Sequence, residues 1–246
     1  MTDLKDKLQI ITPFTNQAPA ERRKKIIVKQ TECNKCGTCC IGASPMLLKD
    51  DYKLYLSNLL NDTNTYTVRL NEPLYNRREQ DLYYSPIEVI KIDEDSGCIF
   101  YEGAGQCSIY ENRPIQCKEF ECWDNTPPME GLEDRCLKRK DIFGGIDFLM
   151  DLIEKHEEFC SYDKFLNLIE KFHRNNEEAL KDLIDILKFD ISARDYVANS
   201  FGIKEKSINL IFGRPMTECL EFLGLHIRKE EETFVIRKID NGTKVD

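Results

Sequence analysis

The sequence has no long hydrophobic run and no excess of positive charge, and both absences restrict its possible functions. No apolar segment approaches the roughly 18 residues that a membrane-spanning helix requires, so we expect no membrane association. The 44 acidic residues outnumber the 35 basic ones and give a formal net charge of −9. Because proteins that bind nucleic acids need clustered lysines and arginines for the phosphates, this balance argues against a nucleic-acid partner.

An export signal and a supply of histidine ligands are also missing. Charged residues interrupt the apolar ones throughout residues 1–20, whereas a secretory signal has a continuous hydrophobic segment. We therefore expect a cytoplasmic protein, whose cysteines are rarely joined in disulfides. The 3 histidines, His156, His173 and His226, follow the cysteine-rich part and are interpreted as ordinary core or surface residues. Their position argues against a mixed Cys/His metal site.

Cysteine, by contrast, is abundant: the sequence has 11, and eight of them lie between Cys33 and Cys122. Clustered cysteines in a reducing compartment are typical of metal binding. The first four form a C-x2-C-x2-C-C motif over residues 33–40. A C-x2-C turn brings two thiolates close enough to share a metal, and Gly37 gives that turn a permissive backbone. Cys136, Cys160 and Cys219 are isolated and are interpreted as small buried hydrophobic residues.

A second group of cysteines follows at positions 98 to 122. The stretch after Cys107 leads into a predicted short helix, with Asn112 as its cap and Pro114 in its first turn. Cys117 would then lie near the positive end of the helix dipole, which favours its thiolate form. The predicted metal ligands of the two groups are Cys33, Cys36, Cys39, Cys40, Cys98, Cys107, Cys117 and Cys122.

The residues do not decide which metal is bound. Four-cysteine zinc sites and iron–sulfur clusters use the same thiolates. Adjacent side chains rarely reach one ion without strain, so we expect Cys39 and Cys40 to serve different sites, or one of them to support a ligand without binding the metal. Eight thiolates fill at most two four-thiolate sites. A redox-active dithiol is the main alternative for C-x2-C, but the βαβ pattern that accompanies it is not apparent.

Hydrophobic patterning predicts an α+β fold in three parts. A leader covers residues 1–29, a cysteine-rich and metal-stapled domain of short strands and helices covers 30–137, and a mainly α-helical region covers 138–246. In the second part we predict a helix near Lys49–Leu60 and strands at residues 88–92 and 98–101. In the third, one helix face contains Ile142, Ile146, Leu149 and Ile153. Ser192 is predicted to cap a helix that ends near Gly202, and a further helix and a terminal strand follow.

Over roughly residues 30–125, these motifs resemble the CxxCxxCC cysteine-cluster family of zinc- or iron-chelating domains. The resemblance rests on residues 33–40, on 97–101 and on the stretch from Cys107 to Cys117, with Cys122 and Trp123 as a continuation. It implies chelation by Cys33, Cys36, Cys39, Cys40, Cys98, Cys107 and Cys117. Lys118 departs from the family pattern, which commonly has arginine after this last cysteine.

The resulting functional hypothesis is a metal-binding protein that holds zinc or an iron–sulfur cluster in a structural or electron-carrying role. A metal-dependent enzyme, acting by group transfer or redox chemistry on a protein, is one alternative. It draws on Tyr110, Glu111 and Arg113, which lie between two predicted ligands, although Arg113 is interpreted as forming a salt bridge at the helix start. A metal-folded module that binds a protein partner is the other alternative.

Overall fold

The computed structural model describes residues 32–76, 81–94, 97–120, 131–230 and 233–239. Within these ranges, short antiparallel strands predominate before residue 108 and long helices after residue 146. The α+β class with a helical C-terminal region is therefore confirmed. The predicted leader at 1–29 lies outside the described residues, as does Cys122.

The cysteine-rich part contains two-stranded ribbons and short helices. Its strands pair antiparallel as β1 (Thr65–Val68) with β4 (Val89–Ile92), β2 (Pro73–Asn76) with β3 (Asp81–Tyr84), and β5 (Tyr101–Gly103) with β6 (Gln106–Cys107). Its helices are α1 (Thr38–Gly42), α2 (Tyr52–Leu56), α3 (Ile115–Glu119) and α4 (Leu132–Arg135), with 3₁₀ turns at Lys49–Asp51 and Tyr110–Asn112.

The local predictions for this part are right in two cases and wrong in one. The helix expected near residue 49 is present as the 3₁₀ turn followed by α2, and the strand expected at 88–92 is β4. The strand predicted at 98–101 is interrupted: Ile99 and Phe100 form a turn in which Tyr101 N donates to Cys98 O at 2.9 Å, and only Tyr101 belongs to a strand, β5. Cys98 makes an isolated bridge with Glu94, and its N–H donates to the distant Cys40 O.

The second half is built from packed helices followed by a hairpin. The helices are α5 (Arg139–Phe143), α6 (Asp147–Cys160), α7 (Tyr162–His173), α8 (Glu177–Phe201) and α9 (Glu205–Phe212), and 3₁₀ turns at Met216–Cys219 and Glu221–Leu223 lead to β7 (Leu225–Glu230) and β8 (Thr233–Lys238). Among the helices of the described ranges, none combines the length and the apolar character needed to cross a membrane.

Two of the predicted helix boundaries are wrong. The face predicted from Ile142 to Ile153 is divided between α5 and α6, because Gly144 and Gly145 separate the two helices. Ser192 lies inside α8 and does not cap it; Asn176 does, with its side-chain oxygen accepting from Ala179 N at 3.2 Å. The predicted end at Gly202 is confirmed, since this residue adopts the left-handed conformation that often terminates a helix.

The helical part helps to bury the ribbon that leads to Cys98. Ile90 and Ile92 of β4 pack in one core with Leu210 of α9, and all three side chains are at most 2% exposed. The Thr67 hydroxyl of β1 donates to Leu210 O at 2.6 Å. The β1–β4 ribbon of the cysteine-rich part is thus in direct contact with the helices. The predicted domain boundary between residues 137 and 138 stays a prediction.

A layer of ion pairs also joins the two parts. Arg69 follows β1 and donates through Nε and Nη2 to the two carboxylate oxygens of Glu157 on α6, both at 2.7 Å. Arg139 donates to Glu157 at 2.7 Å and to Glu88 at 2.5 Å. Because Arg69 is fully buried, this layer has to remain paired for the fold to be stable.

Asp190, at the centre of α8, is expected to make the free energy of unfolding depend on pH in the acidic range. Burial raises the pKa of its carboxyl, but His156 and Arg194 outweigh burial and hold that pKa at about 2, below the ordinary 3.8. A carboxyl with a lowered folded-state pKa stabilises the fold above its unfolded pKa, and that stability is lost as the pH falls. We expect the free energy of unfolding in urea to decrease between about pH 3.8 and pH 2, and to decrease less steeply in Asp190→Asn. Identical pH dependence in both proteins would contradict this role.

Candidate metal centre

The C-x2-C-x2-C-C motif forms a tight turn followed by a short helix. Gly37 adopts φ 79° at the N-cap of α1, in agreement with its predicted role as the permissive residue of the turn. Lys35 N lies 3.4 Å from Cys33 Sγ, and the Thr38 hydroxyl lies 3.3 Å from Cys36 Sγ. The first two thiols are therefore held by their own turn, whereas Cys39 and Cys40 lie on α1.

The segment that contains Cys98 and Cys107 contacts this turn through the backbone. Cys98 N donates to Cys40 O at 2.8 Å. A Cβ atom at Gly97 would lie 2.6 Å from Cys40 O, and one at Gly105 would lie 2.1 Å from Lys35 O. Such distances exclude a side chain at either position, so both glycines permit the close approach of the two cysteine segments.

Replacement of Gly105 by alanine is expected to separate these segments. Its Cβ would overlap the Lys35 carbonyl, and its φ of 79° would also be strained. Gly103→Ala is the matched control, since Gly103 has φ 87° but open space around the Cβ position. Zinc affinity, measured by competition with a chromophoric chelator, should fall more in Gly105→Ala than in Gly103→Ala. Equal losses would mean that backbone strain alone, and not the contact, is responsible.

A third segment, α3, contributes Cys117 and is held in place by two side chains. Asp51 Oδ1 accepts from Ile115 N at 3.0 Å, and Gln116 Oε1 accepts from Met46 N at 2.6 Å. The prediction that Asn112 caps this helix is wrong: Pro114 occupies the N-cap position and no side chain caps it locally. The distant Asp51 carboxylate accepts from the first residue of the helix instead.

Burial has the largest effect on the pKa of the Cys117 thiol. It raises the pKa of Cys117 strongly, and the neighbouring thiols of Cys98 and Cys40 raise it further. Without a metal, burial therefore opposes the thiolate form that the dipole of this five-residue helix was predicted to favour at Cys117. Cys36 differs from Cys117, since it is exposed and its hydrogen bonds with Thr38 lower its pKa.

The described cysteines alter one another's thiol pKa values across the three segments. The pKa of Cys39 is raised to about 11, first by burial and then by Cys40, Cys33 and Cys36. That of Cys40 is raised first by burial and, among other groups, by Cys98 and Cys107. Each of these thiols therefore lies within electrostatic range of others from the predicted set.

The arrangement of these side chains does not yet enclose a metal ion. In the part of the chain that the structure describes, no three His, Cys, Asp or Glu side chains are placed to hold one. The donor chemistry nevertheless fits zinc or iron, because clustered thiols that oppose one another's ionisation are stabilised as thiolates by a cation. The interpretation of Cys136, Cys160 and Cys219 as core residues is confirmed, since each is at most 5% exposed.

Tyr110 connects two segments of the candidate site through its ring, a role that the sequence analysis did not predict. The Lys35 ammonium and the Arg113 guanidinium each lie 4.1 Å from the centre of its ring. Arg113 also donates to Tyr110 O at 3.0 Å, but none of the described acidic residues forms the predicted salt bridge with it. These contacts join the first cysteine turn to the segment before α3, and no local sequence pattern signals them.

Comparison with known proteins supports metal binding by this part of the chain. Residues 32–142 match a family model, CxxCxxCC, described as a putative zinc- or iron-chelating domain. No match was found among curated proteins or among solved structures. Over residues 32–142 the chain therefore resembles the CxxCxxCC family, as its cysteine pattern predicted.

Proposed function

We propose that the clustered thiolates hold zinc or an iron–sulfur cluster, and that this centre has a structural or electron-carrying role. The observation that supports the proposal most strongly is the direct contact between cysteine segments far apart in the chain. Cys98 N donates to Cys40 O at 2.8 Å, and the thiols of Cys98 and Cys40 both raise the pKa of Cys117. These interactions support the proposal because they link three of the predicted cysteine segments.

Metal binding would complete this arrangement. The thiols of Cys39, Cys40, Cys98 and Cys117 all have raised pKa values, with burial as the first cause. They must release protons when they become ligands, so affinity should increase with pH. When bound, zinc would supply a tetrahedral cross-link between the segments, and an iron–sulfur cluster would also supply a site for one-electron transfer.

Anaerobic purification followed by metal and sulfide analysis tests the proposal. Stoichiometric zinc in a colourless protein would assign a zinc site, whereas iron with acid-labile sulfide and visible absorbance would assign a cluster. A folded protein that binds neither metal, as isolated or after addition of zinc or of iron with sulfide, would contradict the proposed function.

The contacts of Arg113 are those of a structural residue. Its guanidinium contacts the ring and carbonyl of Tyr110, which supports a role in positioning the segment before α3, while its buried Nε has no hydrogen-bond partner among the described residues. The enzyme and the protein-interaction module stay predictions from the sequence.

A further inference from the structure

We infer that the paired helices α6 and α8 form a docking surface for a basic amphipathic helix of another protein. Its apolar part consists of five aromatic side chains that are between 36% and 53% exposed: Phe148, Phe159, Phe189, Tyr196 and Phe201. We call these five residues the aromatic stripe. The stripe lies in the helical part of the chain and contains no cysteine, so the inference does not rest on the proposed metal centre.

The rings of the stripe meet in two groups, and each group contains rings from both helices. Phe159 of α6 stacks on Phe189 of α8 with the ring centres 4.7 Å apart. Phe148 of α6 contacts Phe201 of α8 at 5.2 Å, and the ring of Tyr196 is 6.0 Å from that of Phe201. The rings are therefore in contact with one another and are not isolated surface residues.

Helix periodicity places the two groups on the same side of the helix pair. Phe148 and Phe159 are 11 residues apart, and at 100° per residue their side chains point within about 20° of each other. Phe189 and Tyr196 are 7 residues apart and also differ by about 20° around α8. The stripe is thus a continuous feature along one side of α6 and α8.

The length of the stripe fits a partner helix of about three turns. From Phe148 to Phe159, α6 rises about 16 Å. Half-buried Leu152 and Ala193 occupy intermediate positions on the two helices and pack against the core. An amphipathic helix binds such a surface through apolar residues that recur every three or four positions. Exposed apolar surface that is contiguous commonly marks an interaction site.

The charges beside the stripe favour a basic partner. Asp147, Asp151, Glu154 and Glu158 are exposed and recur on α6 at spacings of four, three and four residues, so they form a row along one edge of the stripe. None of the four is ion-paired to another residue of the described ranges. Lysines or arginines of a docked helix would supply the opposite charge.

The same charges disfavour a second copy of this chain. Along α6 and residues 185–196 of α8, the exposed charged side chains are six acidic ones and two basic ones, namely Asp147, Asp151, Glu154, Glu158, Asp185 and Asp195, and Lys155 and Lys188. Two such faces would repel each other, because like charges brought together oppose association. An anionic lipid surface would be repelled for the same reason.

Fluorescence anisotropy with a labelled synthetic peptide tests the docking surface. The probe is a helix of about 18 residues, or five turns, with leucines every three or four positions on one face and lysines on the other. The full-length protein is titrated at about 0.15 M salt, which screens distant charges. We expect saturable binding, weakened roughly 10-fold or more in Phe148→Gln/Phe159→Gln, because aromatic anchors dominate such interfaces.

Tyr75→Gln/Phe222→Gln is the matched control. These two rings also stack, at 5.4 Å, and are 42% and 48% exposed, but they lie outside the stripe. This variant should bind the peptide as the wild type does, and urea unfolding should show that both double variants are folded. Glu154→Gln/Glu158→Gln changes only exposed residues. It should weaken binding of the lysine peptide but not of a version with glutamine in place of lysine.

Further peptides and the oligomeric state distinguish other occupants. A peptide of the same composition in shuffled order keeps its charge and loses its apolar face; if it bound as tightly, charge alone would attract the probe and the inference would be overturned. Equal weakening by the control variant, tighter binding of a glutamate version, or no saturable binding would overturn it as well. A wild-type dimer in sedimentation velocity that dissociates in Phe148→Gln/Phe159→Gln would assign the surface to a second copy instead.

Discussion

Replacement of Arg69 by methionine is expected to destabilise the protein by about 3 kcal/mol, at the lower end of the cost of breaking a buried ion pair. The guanidinium is fully buried and makes two hydrogen bonds to Glu157 and one to Cys160 O, all at 2.7 Å. Glu157 would keep Arg139 as a partner, which limits the loss. Urea unfolding followed by circular dichroism measures the change.

Arg174→Met is the matched control for this prediction. Arg174 also pairs with a glutamate, Glu170, at 2.5 Å, but the two side chains are 77% and 59% exposed. Exposed pairs of this spacing contribute about 0.5 kcal/mol or less. A similar small effect in both variants would show that the charged layer between β1 and α6 does not stabilise the contact between the two parts of the chain.

Replacement of Asp51 by alanine is expected to lower zinc affinity by about 10- to 100-fold, the usual effect of removing a group that orients a metal ligand. Asp51 is 1% exposed and accepts from Leu48 N and Ile115 N, both at 3.0 Å. Without the carboxylate, the first turn of α3 loses one of its two anchors, and the bond between Gln116 and Met46 N alone holds the segment that contains Cys117. Competition with a chromophoric chelator measures the affinity.

Asp50→Ala provides the comparison at the neighbouring position. Asp50 lies in the same 3₁₀ turn but is exposed, so its removal changes the local charge without releasing α3. Zinc affinity should stay close to that of the wild type. Equal weakening by both substitutions would attribute the effect to negative charge near the site, and the positioning role of Asp51 would then be wrong.

Local patterns predicted those features of the site that depend on neighbouring residues. The C-x2-C spacing of Cys33 and Cys36, followed directly by Gly37, predicted the turn, and Gly37 has the expected left-handed backbone. The isolated cysteines were predicted as core residues because nothing near them suggested a ligand, and they are buried. In each case the physical cause lies within a few residues of the feature.

The remaining features depend on contacts between distant residues. Cys98 N donates to Cys40 O, 58 residues earlier in the sequence, and α3 is anchored by Asp51, 64 residues away from Ile115. The raised pKa of the metal-free Cys117 thiol could not be predicted for the same reason, since its burial is produced by the tertiary fold. Periodicity and spacing within one segment contain no information on such pairs.

X-ray absorption spectroscopy at the zinc or iron edge tests metal ligation most directly. For the anaerobically purified protein we expect a first shell dominated by sulfur, at about 2.3 Å for zinc, and a lower metal content in Cys98→Ser/Cys117→Ser. A first shell dominated by nitrogen or oxygen in the wild type would contradict ligation by the clustered cysteines.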